Sequence, residues 1–265
     1  MPLPRSRSSR GCGRWLSLST RIAGRGALGK ASYPPSRIAT YLDQFPVPVL
    51  NYVRPLLQDP KPAVRFWAAT LLGRYAGTEN LDAELASLAG DSEPSVRKAA
   101  VESAGKVGGP MAANMALELL ADPVWYVQAH AARALGDLGR VDLATRVAPL
   151  LADRQWWVRA AAKEALEAMG PEIWSDLVPF LDHPDAFARN GAAEVFQNIG
   201  ILDSLVVMEA ATDGPGTAKI EMLRKIASAG GVRMTDALLE RAGPQMRPRI
   251  RRLLEMLGLE RAGSY

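Results

Sequence analysis

The chain repeats itself every thirty-odd residues, and that period constrains its fold more than any other feature. The segment "DRQWWVRAAAKEALEAMG" at residues 153–170 is one copy. With its aspartate as position 0, related segments begin at Asp59, Asp91, Asp122, Asp153, His183 and Asp213, at intervals of 32, 31, 31, 30 and 30 residues. Position +5 then holds Val64, Val96, Val127, Val158, Ala188 and Ala218, and position +9 holds Ala68, Ala100, Ala131, Ala162, Ala192 and Met222. Position +13 is Leu72, Ala104, Leu135, Leu166, Phe196 and Ile226, and position +16 is again apolar. Spacings of this kind trace one face of an α-helix. Glycine follows at +17 (Gly108, Gly139, Gly170, Gly200, Gly230), with Ala76 the exception, as suits the left-handed residue that closes a helix.

A second helix precedes each anchor, with apolar positions at −10, −6, −3 and −2, such as Leu143, Val147, Leu150 and Leu151. Three of these helices carry proline at −4: Pro55, Pro149 and Pro179. A proline inside a helix costs about 3 kcal/mol, so its recurrence predicts a shared kink. Each unit is thus an antiparallel helix pair that cannot bury its apolar face alone; stacked copies form one continuous core. The expected organisation is a disordered basic leader at 1–35, a cap helix at 36–46, six repeats over 47–231 and a degenerate capping repeat at 232–260. In that last repeat Met246, Ile250 and Leu254 keep the apolar face while Arg247, Arg249, Arg251 and Arg252 supply the polar one.

Three segments, "DSEPSVRKAAVESAGKVGG", "DPVWYVQAHAARALGDLGR" and "DRQWWVRAAAKEALEAMG", share Asp-x4-Val followed by an alanine-rich run. They resemble bacterial HEAT repeats, in particular the short variety of phycobilisome lyase subunits. The resemblance covers about residues 47–258. It implies an all-α, right-handed α-solenoid of about six to seven antiparallel helix pairs. It also implies a structural ladder between the aspartate of one unit and the arginine of its neighbour. The acidic set here is Asp59, Asp91, Asp122, Asp153 and Asp213; the basic set is Arg65, Arg97, Arg159, Arg189 and Lys219. His183 and Gln128 depart from the pattern, so the ladder is expected to weaken around repeats three to five.

The overall charge of +4 is misleading. Seven of the 32 basic residues lie in residues 1–35, which hold no acid, so residues 36–265 carry 25 basic against 28 acidic side chains, net −3. Phosphate binding needs a concentrated positive face, so nucleic acid is not an expected partner of the folded part. Cys12 is the single cysteine, compatible with a reducing compartment, and a cytoplasmic monomer is expected. No apolar run is long enough to span a membrane.

Catalytic constellations are absent from the sequence. His130 and His183 stand in different repeats at different positions, and no metal-ligand spacing, phosphate loop or nucleophile elbow occurs. Neither catalysis, a metal nor a cofactor is expected. The candidate site lies instead on aromatic residues. At about 100° per residue, positions +3 and +4 point more than a right angle away from the core face. Position +4 reads Tyr126, Trp157, Phe187 in three successive repeats, and these are expected to form an exposed row on a concave surface. Small residues at +7 (Ala129, Ala160, Asn190) should leave a shallow groove, bordered at +11 by Arg133, Glu164 and Glu194. Trp156 is expected instead to fold over the turn and seal the previous unit. The reading is a non-catalytic scaffold that binds a protein or peptide segment. Alternatives implied by resemblance are a bilin lyase or chaperone, which would need an aromatic groove for the tetrapyrrole, and a HEAT-like DNA-repair protein, which the acidic Glu164, Glu167 and Glu194 oppose.

Overall fold

The computed structural model describes residues 50–74, 81–202, 204, 205, 208, 217–230, 239, 240 and 243–257. The leader at 1–35, the cap helix at 36–46 and the Asp213 rung lie outside the described residues. The chain divides into two compact units, Met1–Arg65 and Phe66–Tyr265. In the first, α1 (Leu50–Val53) runs into a 3-10 segment, Arg54–Gln58, and after a turn at Asp59 the chain enters α2 (Pro62–Leu72).

In the second unit the helices pair as the period requires. Helix α3 (Asp82–Ala89) packs on α4 (Pro94–Val107), and α5 (Ala112–Leu119) on α6 (Trp125–Asp137). Next, α7 (Ala144–Val147) continues as a 3-10 segment, Ala148–Ala152, against α8 (Trp156–Met169). Likewise α9 (Trp174–Leu177) continues as Val178–Asp182 against α10 (Ala186–Asn198). Helices α11 (Thr217–Gly230) and α12 (Arg247–Met256) follow. The second helices α4, α6, α8, α10 and α11 stack in chain order as one layer, while α3 meets α5 and α7 meets α9 in the other. Among the described residues there is no strand. The fold is an α-solenoid.

The predicted core faces are buried. Val127, Ala131 and Leu135 on α6, Val158, Ala162 and Leu166 on α8, and Ala188, Ala192 and Phe196 on α10 have no exposed surface. Burying a valine, leucine or phenylalanine contributes about 1.5–3 kcal/mol, and each of these is covered only because a neighbouring pair lies against it. Leu138 and Ile199 at +16 are half-buried, at the rim of the layer. Of the helix-closing glycines, Gly108, Gly139, Gly170 and Gly200 take positive φ, between 62° and 86°. Gly108 is left-handed as expected, whereas Gly170, with ψ −171°, lies outside that region, and Gly230 is the last residue of α11.

The proline kink takes a specific form. Pro55, Pro149 and Pro179 each stand second in a 3-10 segment that directly follows one turn of α-helix. Proline has no N–H to donate to the fourth residue back, so the α pattern is lost there and the tighter spiral takes over. The first helices without this proline, α3 and α5, are uninterrupted.

Neighbouring second helices approach closely where side chains are small. A Cβ placed on Gly136 of α6 would stand 2.7 Å from the Cα of Ala165 on α8, and one on Gly105 of α4 3.1 Å from the Cα of Ala134. Gly136→Ala should therefore destabilise the protein by about 1–3 kcal/mol despite alanine's better helix propensity. Gly90→Ala, whose added methyl meets only Ser87 O at 3.9 Å, should be neutral. Urea midpoints of the two variants against the parent check this.

Candidate functional site

The geometry of the candidate site begins in the turn between the two helices of each pair. The position-0 side chain accepts a hydrogen bond from the N–H two residues on: Asp59 from Lys61, Asp91 from Glu93 and Asp122 from Val124, each at 2.8 Å, and Asp153 from Gln155 at 2.7 Å. This is the Asx turn, in which a short carboxylate mimics a backbone carbonyl. At His183 the ring Nδ1 takes the same role, accepting from the Asp185 N–H at 3.1 Å. The arginine at +6 then reaches back to the two turn carbonyls. Arg65 Nη1 donates to Asp59 O, Arg97 Nη1 to Asp91 O, Arg159 Nη1 to Asp153 O and Arg189 Nη1 to His183 O, all within 2.9 Å. A carbonyl clamp, internal to each repeat, is therefore the most regular duty of these arginines. The sequence pattern implies inter-repeat pairs for the +6 arginines and carries no signal for this clamp within the repeat.

The inter-repeat rung is seen in full geometry between Arg97 and Asp122. Arg97 Nε donates to Asp122 Oδ2 at 2.7 Å and Nη2 to Oδ1 at 3.0 Å. The Asp122 side chain is 3% exposed. Burial alone would raise the Asp122 pKa, but the Arg97 fork and the Val124 N–H outweigh it and hold the carboxyl below its ordinary range. At the next level Gln128 replaces the arginine and turns to Leu120 O at 2.8 Å. One level further, His183 replaces the aspartate, and the Arg159 guanidinium lies 4.2 Å above the Phe187 ring instead. At these two levels the Arg–Asp fork is replaced by other contacts.

With the turn fixed and position +5 inward, positions +3 and +4 face away from the core. Trp157 is 54% exposed and Phe187 59%, while Tyr126 is half-buried. Trp156 does not seal the preceding unit: it is 58% exposed. It is the first residue of α8 and its ring packs edge-on against Trp157, centroids 4.4 Å apart. Trp125 and Tyr126 pair in the same way at 5.6 Å. Among the described residues no ring contact links Tyr126 to Trp157 or Trp157 to Phe187, so the row consists of separate clusters, one per repeat. Trp125 and Trp174 are also exposed. Trp125 occupies position +3, like Trp156, whereas Trp174 opens a first helix and lies outside the repeated +3 and +4 positions.

The expected groove and its border are different from the sequence reading. At +7, Ala129 is buried, Ala160 half-buried and Asn190 exposed, so these positions do not form one open floor. Arg133 Nε donates to Glu164 Oε2 across α6 and α8, and Lys163 Nζ to Glu194 Oε2 across α8 and α10. Glu167 accepts from Asn198 Nδ2 at 2.7 Å. The border is a set of cross-repeat pairs, and exposed pairs of this kind are worth about 0–1 kcal/mol each. Among the described residues no group of three or more His, Cys, Asp or Glu is placed to hold a metal, and no helix is long and apolar enough to cross a membrane.

The family model for HEAT repeats matches this chain at residues 50–124 and 113–197. No curated protein matches it. Among solved structures it is similar to the complex of CpcE and CpcF of phycocyanin lyase from Nostoc sp. PCC7120, at 22% identity over 81% of this chain and 96% of that one, with a TM-score of 0.48. It is also similar to an archaeal HEAT-like repeats protein from Thermococcus onnurineus NA1, at 15% identity over 80% of this chain and 98% of that one, with a TM-score of 0.44. A designed armadillo repeat protein in complex with the peptide (KR)4 is similar at 16% identity over 78% of this chain and 99% of that one, TM-score 0.43.

The same cross-repeat polar layer contains a pH-sensitive group. His130 on α6 is pushed down from 6.5 to about 4, first by burial and then by Lys98. Arg133 and Lys106 act in the same sense, and Glu102, 3.8 Å away, opposes them. The folded protein therefore holds His130 neutral at pH 7, whereas the unfolded chain takes up a proton near pH 6.5. Its contribution to stability is complete above 6.5 and is lost as pH falls from there toward 4. Urea midpoints of the parent should fall over that interval, and those of His130→Gln should fall less.

Proposed function

The chain belongs to the HEAT-repeat family, and from that premise we propose that it is a non-catalytic scaffold that binds a protein, or an extended segment of one, across the first turns of α6, α8 and α10. One observation carries this reading. Trp125, Trp156, Trp157 and Phe187 stand exposed on three successive helices of the second layer. Large aromatic side chains left in water on adjacent elements mark recognition surfaces, and tryptophan is the residue type most enriched among binding hot spots. Returning a half-exposed indole to an apolar contact contributes on the order of 2 kcal/mol at about 25 cal/mol per Å². A few such rings suffice for a specific complex.

The polar frame supports the same reading. The turn bonds accepted by Asp153 and by the His183 ring, together with the arginine clamps, hold α8 and α10 at their first residues, so the rings sit on rigid ends rather than on loops. Rigid presentation lowers the ordering cost of association. The Arg159 guanidinium over Phe187 adds a cationic rim to an aromatic surface, a combination common at protein interfaces.

The triple variant Trp156→Ala, Trp157→Ala, Phe187→Ala tests the reading. Immobilised parent protein should retain a partner from an extract of the native organism, and the triple variant should retain at most about a tenth as much. Far-ultraviolet circular dichroism of the two should coincide, since none of these rings is core. Trp174→Ala, on the other helical layer, should retain the partner as the parent does. Equal retention by the triple variant would place the binding surface elsewhere.

A further inference from the structure

Five inter-helix turns can be compared, and one of them is incomplete. In four, an arginine at +6 donates its Nη1 to the carbonyls of positions 0 and +1. The third turn has Gln128 at that position, and its side chain goes to Leu120 O. Among the described residues, Asp122 O and Pro123 O therefore receive no hydrogen bond. On the other side of the same gap stands Asp153, one repeat along. Its Oδ1 accepts from the Gln155 N–H, as the Asp122 Oδ1 does from Val124, but among the described residues no guanidinium forks onto it. The surface opens at this level into a depression of about 510 Å³, walled by Trp125, Gln128, Pro149, Asp153, Arg154 and Gln155.

We propose that this depression takes an arginine side chain of the partner polypeptide, whose guanidinium completes the rung that Gln128 leaves out. The molecule contains its own template for the fit. One repeat earlier, Arg97 satisfies two turn carbonyls with Nη1 and the Asp122 carboxylate with Nε and Nη2. An arginine entering beside Gln128 meets the same set: Asp122 O and Pro123 O on one side, the Asp153 carboxylate on the other. The wall includes the exposed Trp125 indole, and stacking of a guanidinium plane on an indole favours arginine over lysine. Arg154 also lines the depression and offsets the charge of Asp153. Recognition therefore depends on the directed fork rather than on net charge. A lysine ammonium, a point charge without that fork, cannot bridge carbonyls and carboxylate together.

The occupant rests on the reading of this face as a protein-binding surface, but the site itself can be tested without the partner. The probe is the acetylated, amidated pentapeptide Gly-Gly-Arg-Gly-Gly, with its lysine and citrulline counterparts as controls. Each is titrated into the full chain while the Trp125 indole and Gln128 side-chain amide resonances are followed by NMR. The arginine peptide should shift both resonances, the lysine peptide should bind about tenfold more weakly, and the citrulline peptide should leave them in place. Asp153→Asn keeps the oxygen that closes its own turn and removes the charge; it should weaken arginine binding about tenfold.

Gln128→Arg, which installs the residue found in the other four turns, should raise the melting temperature and abolish the shift at Trp125. Trp157→Ala with Phe187→Ala should leave the peptide titration unchanged, because neither ring lines the depression. Absence of shifts with the arginine peptide, equal binding of arginine and lysine peptides, or an undiminished titration in Gln128→Arg would each overturn the proposal. Such a result together with retained partner capture would leave the scaffold reading standing.

Discussion

The structure depends on the closure of one short turn, repeated along the chain. A helix pair of this length has one useful apolar face, and that face is buried only if the second helix leaves the turn in a fixed direction. Two hydrogen-bond devices fix it. The position-0 side chain captures the N–H of position +2, and the +6 arginine draws the two turn carbonyls toward the helix it belongs to. With the first turn held this way, +5, +9 and +13 face the neighbouring pair and +3 and +4 face away. Core and candidate surface are thus set by the same constraint.

Departures from the repeated turn are informative because the frame around them is constant. His183 shows that the acidic charge is dispensable: an imidazole nitrogen closes the turn, and the ring stacks on Phe180 with centroids 5.7 Å apart. Removing the aspartate does cost the preceding arginine its carboxylate, and Arg159 turns to the face of Phe187. Gln128 shows the converse. Its amide is too short to reach both turn carbonyls and the next carboxylate, so it settles for a local carbonyl and the surface opens beside it. Both departures fall in repeats three to five, the part of the stack that also carries the exposed aromatics. The repeats that bear the exposed rings are thus the ones in which charged rungs are replaced.

Much of this was legible in the sequence. The thirty-residue period fixed the helix pairs, the buried rows and the helix-closing glycines, because burial and left-handed backbone act on single positions that recur. The outward direction of Trp157 and Phe187 followed from the helical angle alone, and the weakening of the ladder from the identities of Gln128 and His183. What an outward side chain then touches did not follow. Trp156 packs on its neighbour Trp157 rather than on the preceding turn. Arg133, Glu164 and Glu194 are engaged in pairs across repeats, with Lys163 as the unforeseen member. These outcomes depend on the spacing between helices and on rotamers, neither of which a period encodes. The conversion of the proline kinks into 3-10 segments is of the same kind: the missing N–H was visible, but the backbone's response to it was not.

The claim that most needs testing is that the first-turn rings face water in the folded protein. Incorporation of 5-fluorotryptophan, with each resonance assigned by single replacement, gives a solvent isotope shift for every indole when water is exchanged for deuterium oxide. Trp125, Trp156 and Trp157 should each show a substantial fraction of the shift of the free amino acid while the chain remains fully helical. Absence of a shift at both Trp156 and Trp157 would mean that these rings are enclosed, and would contradict the account of how the turn sets core and surface apart.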